Sequence, residues 1–546
     1  MPVMTGGQAV VKSLIGNGIT TLFALPGVQN DPLFIALYDA GAAVRVIHTR
    51  HEQGAAYMAL GYAAATGGMG AYAVVPGPGF LNTTAALSTA YATNSKVLCL
   101  TGQITSSAVG RGYGLLHEIP DQMRVLRSLT KWAESIPSPA AAPGLVAEAI
   151  RQMYTGRPRP VGLEMAMDIM AREEDVQLLP PETEFARPPV NGDAIREAAK
   201  ILGQAQSPLI FAGGGAMDAV EELAGIAEML QAPVITTRSG RGAMSSRHYL
   251  SHTMPVGHQL WAGADAVLAI GTRLQIPQMN WGLDGDLKMV RVDIDPEEHD
   301  RVAPPAVGIV ADCRDALRAL IDELGAHNRK RSNREEELTA LRQAKEAEFA
   351  SLEPQMSYLK VIREELPDDG IFVDELTQIG YVSRFALPVY QPRTFLSTGY
   401  QGTLGWGVAT ALGVKLAQPG KPVLLISGDG GFMFNAQELA TAVQHQIGVV
   451  MLVFNDDAYG NVLRMQKELY DNRVIASQLH NPDFVKLADA FGAQGLRANS
   501  PQELRDAIRQ GFAAKGPTVI DVPVGEMPAP WHNIVMPQVR GKGAKG

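Results

Sequence analysis

Asp429 and Asp456 are the two residues whose type and setting point most directly to chemistry. Each stands in a turn that closes a short apolar run, Val423 to Ile426 for the first and Gly448 to Phe454 for the second. Phe432 to Gln444, between them, spaces its apolar residues as a helix does. This order predicts two parallel strands joined by a helix, with both turns at the carboxyl edge of one sheet. Paired carboxylates there suit a hard cation such as Mg2+, and the glycines beside Asp429 let backbone N–H groups approach a phosphate.

An ordinary crossover with Asp-Gly turns has the same local residues, but the complete arrangement is more specific. It resembles the diphosphate-binding motif of thiamine diphosphate (ThDP) enzymes, in which GDG is followed, after a helix and a strand, by an Asn pair. The resemblance implies Mg2+ held by side-chain oxygens of Asp429 and Asp456 and by the backbone carbonyl of Ala458, although Asp456 replaces the family's usual Asn. The cofactor-binding residues that it implies here are Gly428, Asp429, Gly430, Gly431, Asp456, Ala458, Tyr459 and Gly460.

Glu52 carries the second resemblance. It precedes a predicted helix, Gln53 to Thr66, and a carboxylate in that position is usually only stabilised by the helix dipole. The stretch RHEQGAAYMALGYAAATG, however, is similar to the RHEQGAAHMADGYARATG pattern of acetolactate synthase-like ThDP enzymes. There the Glu hydrogen-bonds the aminopyrimidine ring and activates the cofactor. By the same resemblance, cofactor contacts are expected from Pro26 and Gly27 after the first strand and from Asn82 in AVVPGPGFLN.

The remaining catalytic candidates are His117 and Leu404. His117 falls in a stretch, Gly110 to Lys131, that occupies the place of the family's FQE-containing active-site loop, and it stands where acetolactate synthases have Gln. We expect it to face the substrate; the alternative is that it only hydrogen-bonds a neighbouring carboxylate such as Glu118. Leu404, in a stretch that resembles the family's GTMGFG, is expected to hold the two cofactor rings in a bent arrangement, and a core leucine is the alternative. Gly402 from that stretch, with Thr377 and Gln378, completes the predicted cofactor contacts.

Composition limits the class of protein. The 546 residues, 46% hydrophobic with 56 Gly and 35 Pro, predict a soluble α/β protein of about three domains. The net charge of −9 without a long basic tract argues against nucleic-acid binding. The first residues, MPVMTGGQAVVKSL, lack the charged-then-apolar order of a signal peptide, and no apolar run reaches ~18 residues, so neither secretion nor a membrane span is predicted. Cys99 and Cys313 are expected to be packed free thiols, which fits a reducing cytoplasm.

Three doubly wound parallel-sheet domains are predicted. Their expected limits are residues 1–175 for pyrimidine binding, 190–325 for a central Rossmann-like domain and 356–530 for diphosphate binding. Gly213-Gly214-Gly215 lacks the GxGxxG spacing, so nucleotide binding does not follow from it. By resemblance the central domain could hold FAD, as in acetolactate synthases, or serve only as structure or bind another nucleotide, as in decarboxylases of the same fold. The resemblance also implies active sites shared between chains in a homodimer or homotetramer.

The resemblance proposes decarboxylation of a pyruvate-like 2-oxo acid with carboligation to a carbonyl acceptor. Acceptor-side residues differ from the synthases, with Leu463 at an Arg position and Met465 at a Trp position. The tail Met527 to Gln538 also differs and is expected to cover the site. A simple 2-oxo acid decarboxylase or C–C bond hydrolase is the first alternative, and a catalytically silent ThDP-binding regulatory subunit is the second.

Overall fold

The structure is a computed structural model that describes residues 2–541. The chain packs into two compact units. The first comprises the residues up to Ala186, Phe372–Leu376 and Thr398–Pro523, and the second comprises Arg187–Ile371, Thr377–Ser397 and the residues from Val524 on. Three six-stranded sheets organise these units, which confirms the predicted fold class. The domain limits given above remain a prediction.

The first sheet has strand order β3-β2-β4-β5-β7-β6 with all neighbours parallel, and β1 and β8 form a separate antiparallel pair. The strands are β1 Val3–Thr5, β2 Thr21–Ala24, β3 Arg45–His48, β4 Met69–Val74, β5 Lys96–Gln103, β6 Trp132–Ile136, β7 Val161–Ala166 and β8 Glu173–Asp175. The helices are α1 Gly6–Gly16, α2 Asp31–Ala40, α3 Glu52–Thr66, α4 Pro78–Leu81, α5 Thr84–Thr93, α6 Gln122–Leu129, α7 Ala142–Tyr154 and α8 Met167–Ala171.

The second sheet, β11-β10-β9-β12-β13-β14, is parallel, and its central strand β9 is buried on both faces, as a continuous apolar run predicts. Ile210 and Ala212 pack into one apolar cluster, while Leu209 and Phe211 from the same strand pack into another. The strands are β9 Pro208–Ala212, β10 Val234–Thr236, β11 Ser251–His252, β12 Ala266–Ile270, β13 Lys288–Asp293 and β14 Val307–Val310. The helices are α9 Gly192–Gln204, α10 Val220–Leu230, α11 Met254–Trp261, α12 Cys313–His327 and α13 Glu335–Phe349.

The third sheet contains β15, β17, β18, β20 and β19 as neighbours in that order. Its strands are β15 Ile371–Asp374, β16 Phe395–Ser397, β17 Val423–Gly428, β18 Val450–Asn455, β19 Gln494–Arg497 and β20 Thr518–Pro523. Its helices are α14 Gln355–Glu365, α15 Gln378–Ala386, α16 Gly407–Ala417, α17 Asp429–Met433, α18 Leu439–Gln444, α19 Gly460–Leu469, α20 Phe484–Phe491 and α21 Pro501–Ala513. Within the first unit α16 packs closely on α3. Position 61 must be glycine for this packing, since a side chain there would lie 2.1 Å from the Thr410 carbonyl oxygen.

One predicted element was wrong. The single helix expected over Phe432 to Gln444 is divided into α17, a 3-10 turn Ala436–Glu438 and α18. Asn435 lies at the break with φ −131° and ψ 22°, and its side-chain amide donates to the Gly405 carbonyl oxygen. This long-range bond replaces the helical geometry that local spacing favours.

Two further expectations can be compared with the fold. Cys99 and Cys313 are both buried free thiols, as predicted, and burial raises the pKa of Cys99 to about 12. Within residues 2–541, none of the helices is long and apolar enough to cross a bilayer.

In the second unit, a side chain on Gly213 would lie 2.2 Å from the Gly271 carbonyl oxygen. Close packing inside the sheet edge therefore accounts for this glycine without any nucleotide.

Candidate active site

The turn after β17 places Asp429 at the start of α17. β17 and β18 are parallel with Gly428 opposite Phe454, so the turns that follow them share one sheet edge. Asp429 is 1% exposed, and its carboxylate receives backbone hydrogen bonds from Gly430 and from Ala458 in the second turn. Burial raises the pKa of Asp429 and nearby Asp457 raises it further, while the hydrogen bonds act against both.

Asn481 joins the two turns, and no sequence argument had singled it out. Its side-chain amide nitrogen lies 2.5 Å from Asp429 Oδ2, 3.0 Å from Asn455 Oδ1 and 3.0 Å from Asp457 Oδ1. Asp457 has φ 51°, in the left-handed region that Asp tolerates better than most residues. Oxygen atoms from three different side chains thus converge on one amide group at the edge of the sheet.

The other predicted residues of this edge have definite places. Gly428 ends β17, and Gly430 and Gly431 continue α17. Asp456 follows β18 and is partly buried, Ala458 is buried and forms an isolated bridge with Gln478, and Tyr459 and Gly460 begin α19. A side chain on Gly431 would lie 2.5 Å from Glu375 Oε1. The glycine is therefore required by a buried acid as well as by any phosphate.

Glu375 is a second residue that the sequence did not reveal. It is fully buried, accepts a hydrogen bond from Ser427 Oγ at 2.7 Å, and accepts others from the backbone N–H groups of Gly405 and Gly407. Burial raises the pKa of Glu375 to about 7, against these hydrogen bonds. Its carboxyl group thus joins the β17 turn to the loop that contains partly buried Leu404.

Glu52 begins α3 on the edge of the first sheet. Its side chain is partly buried, and the Asn82 amide donates to Glu52 Oε2 at 3.0 Å. Asn82 itself ends α4 and is exposed. Gly27 lies after β2, between exposed Pro26 and a 3-10 turn. The structure therefore brings Glu52 and Asn82 together.

Among the described residues, His117 forms no hydrogen bond with Glu118, which was the carboxylate named in the alternative. The Glu118 carboxylate instead accepts from the backbone N–H groups of Gly112 at 3.0 Å and Leu115 at 2.9 Å. In the described part of the chain, buried Nδ1 of His117 has no hydrogen-bond partner, and the residue has φ 68°. A non-glycine residue with positive φ and an unpaired buried nitrogen is the kind of strained feature that clusters at functional sites.

Thr377 and Gln378 lie in the second unit at the start of α15. Thr377 caps that helix by accepting from the Ile379 N–H at 3.2 Å, and Gln378 Oε1 accepts from the Met527 N–H at 3.0 Å. Both bonds use the side-chain oxygen as acceptor. Trp531 of the tail packs against Tyr381 with the ring centroids 4.9 Å apart and the ring planes tilted by 56°, so the start of the tail lies against α15.

The residues at this sheet edge have the donor types that ThDP and Mg2+ need. Among residues 2–541 no group of three or more His, Cys, Asp or Glu side chains is placed to bind a metal. A site of two carboxylates and a backbone carbonyl does not require such a group, because diphosphate and water complete the Mg2+ shell. Asp429 is buried beside the carboxylate of Asp457, and a cation would offset the repulsion between these two acids. The donor set therefore fits the group.

Comparison with known proteins gives the family. The N-terminal TPP (thiamine pyrophosphate, that is ThDP) binding domain of thiamine pyrophosphate enzymes matches residues 4–125, the central domain 195–320 and the C-terminal TPP binding domain 377–522. The chain is a thiamine diphosphate enzyme. Within this family it is acetolactate synthase-like, as the sequence motifs predicted.

Three relatives match this chain over most of their length, at modest sequence identity. This ThDP enzyme is 35% identical over 534 residues to the probable 2-ketoarginine decarboxylase AruI of Pseudomonas aeruginosa, covering 95% of this chain and 94% of that one. It is 32% identical over 556 residues to a probable acetolactate synthase large subunit of Methanocaldococcus jannaschii, with 95% and 92% covered. It is 30% identical over 575 residues to an acetolactate synthase of Arthrospira platensis, with 97% of each chain covered.

Proposed function

We propose that this ThDP enzyme catalyses Mg2+-dependent decarboxylation of a 2-oxo acid and joins the resulting aldehyde unit to a carbonyl acceptor. The observation that carries the proposal is the buried Asp429, held by Asn481 and Ala458 beside the turn that contains Asp456. When bound, ThDP supplies an electron sink for decarboxylation. Asp429 and Asp456 would hold Mg2+ with the Ala458 carbonyl, and thereby orient the diphosphate.

The other residues would act on the rings and the substrate. Glu52 would hold a proton in a hydrogen bond to the aminopyrimidine ring nitrogen, with Asn82 orienting its carboxyl group. Leu404 would support the bent ring arrangement from the loop that Glu375 fixes. His117 would contact the substrate, because its buried Nδ1 has no protein partner among the described residues. Gly27, Gly402, Thr377 and Gln378 would complete the cofactor contacts.

A simple decarboxylase is the second candidate. The 35% identity to a probable 2-ketoarginine decarboxylase favours it, as do Leu463 and Met465, which replace the acceptor-side Arg and Trp of the synthases. A few pocket contacts at ~1–3 kcal/mol each are enough to change the preferred substrate. The tail Met527 to Gln538, which is predicted to cover the site, also differs from the synthase tail and so bears on which substrate is preferred.

The deciding experiment is a panel of 2-oxo acids that includes pyruvate and 2-ketoarginine, each with and without aldehyde or 2-oxo acid acceptors. Carbon dioxide release and product mass are measured with ThDP and Mg2+, and again after metal chelation. A ligated product that needs both ThDP and Mg2+ supports the first candidate, and carbon dioxide release without ligation supports the second. If no member of the panel is consumed, both candidates should be abandoned in favour of C–C hydrolysis or a binding role.

The same proposal includes a homodimer with shared sites, or a homotetramer built from such dimers. Three apolar side chains of α19, Val462, Met465 and Leu469, are 49%, 42% and 66% exposed, which favours a face covered by a second copy. Sedimentation with activity measured across the dilution series tests this. An active monomer at low concentration would contradict it.

A further inference from the structure

Glu438 is a buried acid outside the predicted site. It ends the 3-10 turn before α18, has 0% exposure, and accepts a hydrogen bond from Thr441 Oγ1 at 2.6 Å. Burial raises the pKa of Glu438, and the bonds from Thr441 and from two backbone N–H groups act against that rise. Neither the sequence motifs nor the predicted metal site accounts for this residue.

The two backbone donors belong to Arg50 and His51, directly before Glu52. The Arg50 N–H lies 3.2 Å from both carboxylate oxygens of Glu438, and the His51 N–H lies 3.0 Å from Oε1. His51 is the residue that caps α3, so the carboxylate holds the chain where it enters the helix. The N–H groups at the start of a helix lack intrahelical partners, and a carboxylate there is also favoured by the helix dipole.

Gly54 makes this approach possible. A side chain at position 54 would lie 2.5 Å from Glu438 Oε1 and 2.6 Å from its carboxyl carbon. Glycine is a poor helix former, yet it occupies the first turn of α3 where Glu438 needs the space. The acid and the glycine are complementary parts of one contact within the first unit.

We propose that Glu438 is a positioning residue for Glu52: it fixes the backbone at Arg50 and His51 and so sets the direction of the Glu52 carboxyl group. The inference rests on the proposed function, in which Glu52 activates ThDP. The segment 429–438 would then contribute to both parts of the proposed site, because Asp429 at its start would bind Mg2+ and Glu438 at its end would position Glu52. A purely structural acid would stabilise α3 without acting through Glu52.

Glu438→Gln is the main variant because it keeps the shape of the side chain but replaces one of the two acceptor oxygens, both of which lie 3.2 Å from the Arg50 nitrogen, with an NH2 donor. Hydrogen–deuterium exchange of the cofactor-free protein should become faster in peptides that cover Arg50 to Gly54. Calorimetry should give a ThDP–Mg2+ affinity within about 3-fold of wild type, because the diphosphate ligands are unchanged. Exchange of the thiazolium C2 proton of bound ThDP should fall by about 10-fold, and the double variant with Glu52→Gln should be no slower than Glu52→Gln alone.

Two further variants bracket the result. Gln444→Ala removes only the 3.4 Å contact to the Arg50 side chain and should change neither exchange rate. Gly54→Ala should displace the Glu438 carboxylate and reproduce the Glu438→Gln result. Unchanged amide exchange in Glu438→Gln, or losses in C2 exchange that add to those of Glu52→Gln, would overturn the positioning role. If wild type binds no ThDP, the proposed function fails, while amide exchange still decides whether the contact holds α3.

Discussion

Asp429 and Glu52 both lie in the first turn of a helix at a sheet edge, but their surroundings differ. Asp429 is 1% exposed and bound by Asn481, Gly430 and Ala458, whereas Glu52 is partly buried and accepts from Asn82. In the first region the carboxylate itself is fixed; in the second, the backbone before it is fixed by Glu438. The difference fits the two proposed tasks, because a metal ligand must stay in place while a proton-handling group must face the cofactor.

Glu52→Gln tests the second region and should have the largest effect. The amide keeps the shape but cannot exchange the proton, so turnover with the best 2-oxo acid should fall by about 10²- to 10⁴-fold while ThDP affinity stays close to wild type. Glu503 provides a matched control, since it lies in the first turn of α21 and accepts from Asn499 at 3.0 Å. Near-normal turnover in Glu52→Gln would reduce Glu52 to a helix-start carboxylate.

Asp429→Ala and Asp456→Ala test the first region. Each should weaken ThDP binding in the presence of Mg2+ by about 100-fold, because the diphosphate would lose a metal ligand. Isothermal titration calorimetry measures the ThDP affinity, and Asp506→Ala, which changes an exposed aspartate, is the control. Undiminished binding in either ligand variant would reject the predicted metal placement for that residue.

Asn481→Ala sharpens the comparison at a smaller scale. It leaves the proposed ligands in place but removes the amide that holds Asp429, Asn455 and Asp457 together, so Mg2+-supported ThDP affinity should weaken by about 10-fold. Calorimetry at several Mg2+ concentrations should show the deficit shrinking as the metal is raised. A deficit independent of Mg2+ would mean that Asn481 acts on the fold and not on the metal site.

Glu375 links the β17 turn to the Leu404 loop, and its effect should appear in stability. Its pKa rises from 4.5 to about 7 on folding, so the folded chain holds a proton that the unfolded chain has released. This stabilisation is complete below about pH 4.5 and is lost as pH rises through about 7, a change on the order of 3 kcal/mol. Glu375→Gln cannot ionise, so its melting temperature relative to wild type should increase between pH 5 and pH 8. A difference that does not vary with pH would place the titration elsewhere.

Sequence alone determined the parts of this enzyme that local patterns encode. Apolar runs of strand length predicted the parallel pair of β17 and β18, because buried parallel strands need continuous apolar residues. The turns at Asp429 and Glu52 were readable as motifs, since their chemistry requires particular residue types at short spacing. These local features are enough to indicate the family without any tertiary contact.

Tertiary structure decided which acids are buried and what they hold. Glu438 meets Arg50 across 388 positions of sequence, and Asn481 meets Asp429 across 52. No local period records such contacts, so Glu375, Glu438, Asp457 and Asn481 had no sequence signal beyond their polarity. The break at Asn435 has the same origin, because its partner Gly405 lies 30 positions away. A hydrogen bond in a buried setting outweighs local helix preference, and only the packed chain brings its two partners together.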